Sequence, residues 1–435
     1  MRVEKKFQID SLKNIKKKAL FWANSLRTNV IWLDSNQYPD KYRQFEAVLA
    51  FFPHKILEKY ESKGAFEALK SFIDTTNDYI FGYLSYDLKN DVENLQSENF
   101  DGLKFPELYF FQPQKIVFFQ RDYLVFSYLE NVSEEIDSDF EQICTFSEES
   151  IHKDTVFSQK KQVSARISKE NYVQQVEKMQ KHIARGNIYE ANFCQEFYIE
   201  DVDIEPLFVY EKLNNISEPP FASFLKFDGK YVLSASPERY LQRKGNVVIS
   251  QPIKGTARRS ENQEEDRKLC SDLERNPKER SENVMIVDLV RNDLSLYAEK
   301  ASVKVTELCK PYTFKQVHQL ISTIETRVKE GTHSVDVICS TFPMGSMTGA
   351  PKISAMQIIE NSEATKRGAY SGAIGYFTAN NDFDFNVVIR SILYNSENKY
   401  LSFSVGSAIT AQSVPQKEYE ECLVKANAMR KVIEN

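Results

Sequence analysis

Gln251-Pro252-Ile253-Lys254-Gly255-Thr256-Ala257-Arg258-Arg259 follows the apolar, strand-like run Val247-Val248-Ile249 and carries one lysine between two residues that set the backbone. Pro252 fixes φ, and Gly255 permits a tight turn and the close approach of a ligand. Lys254 is therefore placed by its neighbours. Beside Arg258 and Arg259, and partly desolvated by Ile253, its ammonium is expected to have a lowered pKa, and a neutral amine is a nucleophile. Spacing alone is also compatible with a lysine snorkelling from a strand end.

The flanking chain reads as mixed strand and helix. Upstream, Tyr172, Val176, Met179 and Ile183 recur at helical spacing and Gly186 caps that helix. Strands follow at 191–199, 221–227, 231–235 and 247–250, the last pair joined by a Lys244-Gly245-Asn246 turn. Downstream, Pro277 suits a first helical turn, and Val284, Met285, Val287, Leu289 and Val290 give that helix a dense apolar face. Glu282 in this company needs a cation. The segment Gly345-Ser346-Met347-Thr348-Gly349-Ala350-Pro351-Lys352 lacks the spacing of a phosphate loop, but its backbone amides before a helix suit an anion such as a carboxylate.

Near the C-terminus an antiparallel meander is expected over 373–377, 383–389 and 401–405, with Asp384, Asn386 and Arg390 on one face. A final helix starts near Ser413 and Pro415. Cys422, Ala426, Met429 and Ile433 form its core stripe, while Glu418, Glu421 and Lys425 line another face, which spacing alone reads equally as a solvated salt-bridged surface. Residues 1–145 form a sheet-rich region, with strands expected at 79–88, 108–111, 116–119 and 123–128 and mixed turn and helix over 51–72. The polar stretch 146–167 reads as a linker, and 168–435 as a second domain.

Composition narrows the chemistry. The 435 residues are 42% hydrophobic with a net charge of -6, and basic residues are interspersed with acidic ones, so nothing points to nucleic acid. The longest apolar run, 47–52, is far short of the ~20 residues of a membrane span. No secretory signal is read, and the six scattered cysteines read as reduced thiols of a cytoplasmic protein. With five histidines and no HxxxH or HExxH pair, a divalent metal is expected on carboxylates, which favours Mg²⁺.

A nucleophile candidate, helix-borne acids, an arginine and an anion-binding helix start suit a small dianion. At Ser234-Ala235-Ser236-Pro237-Glu238-Arg239, Pro252-Ile253-Lys254-Gly255-Thr256, Glu282 to Asp293, Phe342 to Lys352, Gly372-Ala373-Ile374-Gly375-Tyr376, Asp384 to Ser391 and Glu418 to Lys425, the sequence resembles the chorismate-utilising enzymes. The resemblance covers 168–435 and is looser before it, chiefly through Phe81 to Asp87. It implies an α+β fold of the anthranilate synthase component I type, two-lobed, with antiparallel sheets packed as a sandwich and helices outside.

The resemblance also implies roles. Anthranilate synthases usually carry alanine at the position of Lys254, whereas lysine is characteristic of aminodeoxychorismate synthase component I. It thus implies conversion of chorismate and ammonia to 4-amino-4-deoxychorismate, with Glu238 as general acid and Lys254 as nucleophile. Glu282 and Glu421 correspond to Mg²⁺ ligands, and Thr348, Tyr376, Arg390, Gly406 and Lys425 to substrate-binding groups. No cysteine lies in a G-x-C-x-G turn, so a separate glutamine amidotransferase is expected to supply ammonia. Alternatives are anthranilate synthase component I and a non-catalytic chorismate-binding subunit. Two departures stand out. Glu190 stands where relatives have Gln or, in water-adding enzymes, Lys; Gln319 stands where they have a histidine. His318 is read as a packed neighbour.

Overall fold

The computed structural model describes residues 1–147 and 162–434. Its layering follows from side-chain alternation along strands that are apolar throughout. In Val30–Asp34, Val30 and Trp32 join one hydrophobic cluster, and Ile31 and Leu33 another. In Ile80–Leu84, Ile80 and Leu84 face one way, Phe81 and Tyr83 the other. Successive side chains point to opposite faces, so each of these strands is covered on both.

The cluster holding Ile31, Phe81, Tyr83, Tyr109, Phe111, Leu225 and Ile374 consequently lies between two limbs of sheet. Helices Leu12–Ser25, Lys169–Ala184, Pro206–Ser217 and Pro415–Glu434 cover the outer face of one limb. Ala65–Thr76, Pro277–Ser295 and Ser334–Thr341 cover the outer face of the other. This is the expected α+β sandwich with helices outside.

Both limbs start from Leu108–Phe119. One runs through Ala47–Lys59, Val30–Asp34, Phe221–Phe227, Lys230–Ser236, Ser391–Asn395 and Tyr400–Ile409 to Glu190–Ile199. The other runs through Ile80–Leu84, Ala373–Phe377, Phe383–Val387, Arg239–Lys244, Val247–Ser250 and Val317–Arg327 to Ile253–Arg258. Strands from before residue 145 and after residue 168 thus share one antiparallel sheet. The segments bearing Glu190 and Lys254 lie near its two ends, with Gly349–Ala350 pairing beyond Glu190–Ile199 and Lys304–Thr313 beyond Val317–Arg327. The polar stretch 146–167 lies mostly outside the described residues.

Several expectations change. Ala47–Lys59 is a strand and only Ala65–Thr76 is helical, in place of mixed turn and helix over 51–72. The C-terminal meander is interrupted: the regular strand stops at Val387, and at Arg390 the backbone takes a left-handed φ of 53° before entering Ser391–Asn395 in the other limb. Arg239–Lys244 is a strand that polarity concealed, because buried Arg239 is neutralised by Asp40 at 2.7 Å and Asp384 at 3.0 Å. The helix Pro277–Ser295 is only partly buried: Ile286, Val287, Val290 and Leu294 enter the core, while Val284, Met285 and Leu289 line a surface groove.

The junction of the limbs needs a bare backbone at Gly82. A Cβ there would stand 1.9 Å from the Tyr109 carbonyl oxygen, on the neighbouring strand. Gly82→Ala is expected to lower the melting temperature in calorimetry by several degrees. An unchanged transition would show that the two strands separate without cost.

Candidate active site

Lys254 sits at a bulge. Ile253–Arg258 pairs with Val317–Arg327, but the register slips between Ile253 and Thr256, and Gly255 takes φ 98°. A Cβ on Gly255 would press to 3.2 Å from both Leu320 Cδ1 and Glu279 Oε2. Such a bulge re-aims side chains, and here Lys254 lines a cavity of about 800 Å³. Glu238, Glu282, Arg390, Gly406, Glu421 and Lys425 line it as well.

The charge state of Lys254 differs from the sequence expectation. Arg258 is paired with Glu265 and Arg259 with Asp266 at 2.8 Å, so neither presses on the lysine. Lys254 Nζ instead lies 2.8 Å from Glu190 Oε1, a buried carboxylate behind the cavity wall. Burial alone pushes the ammonium pKa down, but the attraction of Glu190 outweighs it and holds the pKa above the ordinary lysine value. Lys254 is therefore held as an ammonium.

Glu238 shows the opposite case. It follows the strand Lys230–Ser236 and accepts a hydrogen bond from Ser346 Oγ at 2.6 Å. Burial pushes its pKa up to about 7, with Ser346 and Lys254 pulling back only in part. A carboxyl that keeps its proton near neutral pH is suited to general acid work.

Arg390 is the candidate anion receptor. It lines the cavity, burial lowers its pKa, and among the described residues it forms no ion pair with an acid. A partly desolvated guanidinium without a protein partner is a carboxylate receptor in waiting. Lys425 is tied to Glu421 at 2.7 Å and donates to the Gly406 carbonyl at 3.0 Å.

The acids come from two helices. Glu279 and Glu282 on Pro277–Ser295, and Glu418 and Glu421 on Pro415–Glu434, face one cavity at spacings of three, so each pair shares a helix face. Burial raises the Glu282 pKa to about 7, Lys278 stands 3.7 Å away, and Glu282 Oε1 is buried without a hydrogen-bond partner among the described residues. On Glu421 the pull of Lys425 outweighs burial and lowers the pKa. Among the described residues no three His, Cys, Asp or Glu side chains converge as a cage. One or two carboxylates completed by water and substrate oxygens is the pattern Mg²⁺ tolerates, and a Glu282 oxygen that accepts no hydrogen bond among the described residues fits it.

Residues 28–431 match the family model for chorismate binding enzymes. The chain belongs to the chorismate-binding enzymes. It is 31% identical over 365 residues to aminodeoxychorismate synthase component 1 of Bacillus subtilis, covering 81% of this chain and 76% of that one. It is also 32% identical over 377 residues to anthranilate synthase component 1 of Acetivibrio thermocellus, covering 81% and 74%. The crystal structure of anthranilate synthase component I from Streptococcus pneumoniae superposes with a TM-score of 0.78 at 25% identity, covering 90% of this chain and 93% of that one.

Two sequence-predicted residues of this chorismate-binding enzyme lie elsewhere. Thr348 is buried, with its hydroxyl donated at 3.3 Å to the Met344 and Gly345 carbonyls, and Ser346 of the same loop faces the cavity instead. Lys352, beyond that loop, is held by Asp293 at 2.6 Å. Tyr376 lies on a strand whose alternation turns it into the central layer, where it lines a second cavity with Arg239, Asp384 and Asn386. Asp384 and Asn386 therefore do not share the face of Arg390. Tyr370, in the irregular segment before that strand, lines the main cavity. His318 is packed between Asp266 and Thr313, at 3.0 Å from each, as a structural neighbour.

Arg390→Gln is expected to weaken chorismate affinity by roughly 30-fold, about 2 kcal/mol, through loss of a charge-assisted contact. Titration calorimetry reads this directly; unaltered affinity would place the substrate carboxylates on other groups.

Proposed function

We propose that this chain is an aminodeoxychorismate synthase component I, which converts chorismate and ammonia to 4-amino-4-deoxychorismate on the route to 4-aminobenzoate and folate. The observation that carries this reading is Lys254, a largely buried lysine that lines the same cavity as Glu238, a buried acid. Chorismate carries two carboxylates and must lose a ring hydroxyl, a poor leaving group. In this reading Arg390 and Lys425 receive carboxylates, and Glu238 protonates the departing oxygen. The Lys254 amine attacks across the conjugated diene, and ammonia then displaces it to leave nitrogen at C4.

Glu282 and Glu421 would hold Mg²⁺, which when bound would neutralise a substrate carboxylate and draw electron density from the ring. Ammonia would come from a separate glutamine amidotransferase, a division of labour that fits the designation component 1 of the Bacillus subtilis relative. Anthranilate synthase is the second reading, favoured by a relative of that name at 32% identity, beside 31% for the Bacillus subtilis aminodeoxychorismate synthase component 1. Incubation with chorismate, Mg²⁺ and ammonia separates the two. Chromatography is expected to show 4-amino-4-deoxychorismate; accumulation of fluorescent anthranilate would contradict the proposal.

A further inference from the structure

Glu190 touches no part of the cavity surface, yet it is one of the most constrained charges in the protein. It opens the strand Glu190–Ile199, pairs with Ala350, and is flanked by Tyr189, whose amide donates to the Ala350 carbonyl at 2.7 Å. Its side chain is 1% exposed. Oε1 receives Lys254 Nζ at 2.8 Å, and Oε2 is buried with no hydrogen-bond partner among the described residues. A buried carboxylate normally uses both oxygens, so an idle one leaves capacity to take up a proton without breaking another contact.

A lysine stored as an ammonium has no lone pair, and the cavity must provide somewhere for its proton before the amine can react. We propose that Glu190 is the positioning residue that holds Lys254 as an ammonium in the resting enzyme and accepts its proton when the amine attacks. This inference rests on the reading of Lys254 as the nucleophile. The pair starts as ammonium and carboxylate; proton transfer over 2.8 Å converts it to amine and carboxylic acid with no change in net charge. The amine lone pair then forms a C–N bond to the ring, the double bonds shift, and the C4–O bond breaks, its electrons leaving with oxygen as water after Glu238 gives up its proton. When ammonia forms its bond at C4, the C–N bond to Lys254 breaks with its pair on the lysine nitrogen. That nitrogen recovers the proton from Glu190, and Glu238 is reprotonated from the new ammonium.

The charged groups facing the pair are Glu238 and Glu282, with Glu279 and Glu421 at longer range. Internal transfer has a signature that a merely structural ion pair lacks. While the pair keeps its single shared proton, the reactive tautomer is available at any pH; without the carboxylate, the amine must lose its proton to solvent. Single-turnover formation of the Lys254 adduct is therefore compared between the wild type and Glu190→Gln at pH 5–7, with chorismate and Mg²⁺ saturating and ammonia absent. Taking the ratio removes the titration that both proteins share; Glu282, which burial and Glu190 push up, ionises more readily in the variant and so works against the expected rise. The ratio of wild-type to variant rate is expected to rise about ten-fold for each unit the pH falls. Glu190→Asp, which keeps a carboxylate, is expected to restore the flat ratio even if slower, and Glu190→Ala serves as the comparison if the Gln variant does not fold.

A second arm needs no chorismate. Carbamylation of Lys254 by cyanate, read by peptide mass spectrometry at pH 8, is expected to accelerate at least ten-fold in Glu190→Gln because the carboxylate that retains the proton is gone. A ratio independent of pH, or equal carbamylation in the two proteins, overturns the proposal. Faster carbamylation with no chorismate adduct in either protein would instead overturn the nucleophile reading on which the catalytic role rests.

Discussion

Lys254→Met is expected to abolish 4-amino-4-deoxychorismate formation, by on the order of 10³-fold or more, while chorismate affinity measured by calorimetry stays within about three-fold. The substitution removes the amine but leaves Arg390 and Lys425 to receive carboxylates. It also strands Glu190, 1% exposed and 2.8 Å from the lost ammonium. An uncompensated buried carboxylate costs about 3–5 kcal/mol. The single variant should thus melt below the wild type, which would confuse loss of fold with loss of chemistry. Adding Glu190→Gln removes the stranded charge, so Lys254→Met with Glu190→Gln is expected to regain most of the melting temperature and none of the activity. Recovery of activity in the double variant would show that the amine is not a reactant.

Glu238→Gln is expected to lower kcat/KM by about 10²–10⁴-fold and to remove this group's pH effect on stability. Burial raises the Glu238 pKa from 4.5 in the unfolded chain to about 7 in the fold. A group whose folded pKa lies above its unfolded value stabilises fully below the unfolded pKa, and that contribution is lost as pH rises through the folded one. Wild-type stability therefore declines from pH 4.5 to about 7 on account of this group, by a total of ~3 kcal/mol, and glutamine abolishes the decline. At pH 8 the inactive variant is expected to melt above the wild type. The wild-type kcat/KM should also fall as pH rises past about 7, where the acid loses its proton. Equal stability of the two proteins at pH 5 and at pH 8 would mean that the carboxyl is solvated.

The helix-borne acids were legible in the sequence because they rest on short-range periodicity, whereas the layering was expected only through the family resemblance. Glu418, Glu421 and Lys425 share a face by spacing alone, and Pro277 marks the start of the helix that carries Glu282; Glu279, three residues earlier on the same face, was not singled out. What failed was parity and partnership. Tyr376 and Tyr370 flank the same strand start, and only the observed alternation of Ala373–Phe377 shows that Tyr376 enters the central layer. Ser346 and Thr348 lie two apart in one loop, and a 3₁₀ turn over Gly345–Met347 decides which faces Glu238. The pKa direction of Lys254 was misread because Arg258 and Arg259 are its neighbours in sequence, while Glu190 is its neighbour only through the meeting of the sheet ends.

The central claim, that the Lys254 amine bonds to the ring, is tested most directly by mass spectrometry of the protein quenched during reaction with chorismate and Mg²⁺ in the absence of ammonia. A mass increase equal to chorismate less one water, mapped to the peptide that contains Lys254 and absent from Lys254→Met, is the predicted result. Formation of 4-amino-4-deoxychorismate upon adding ammonia, with no modified Lys254 peptide at any quench time, would contradict it.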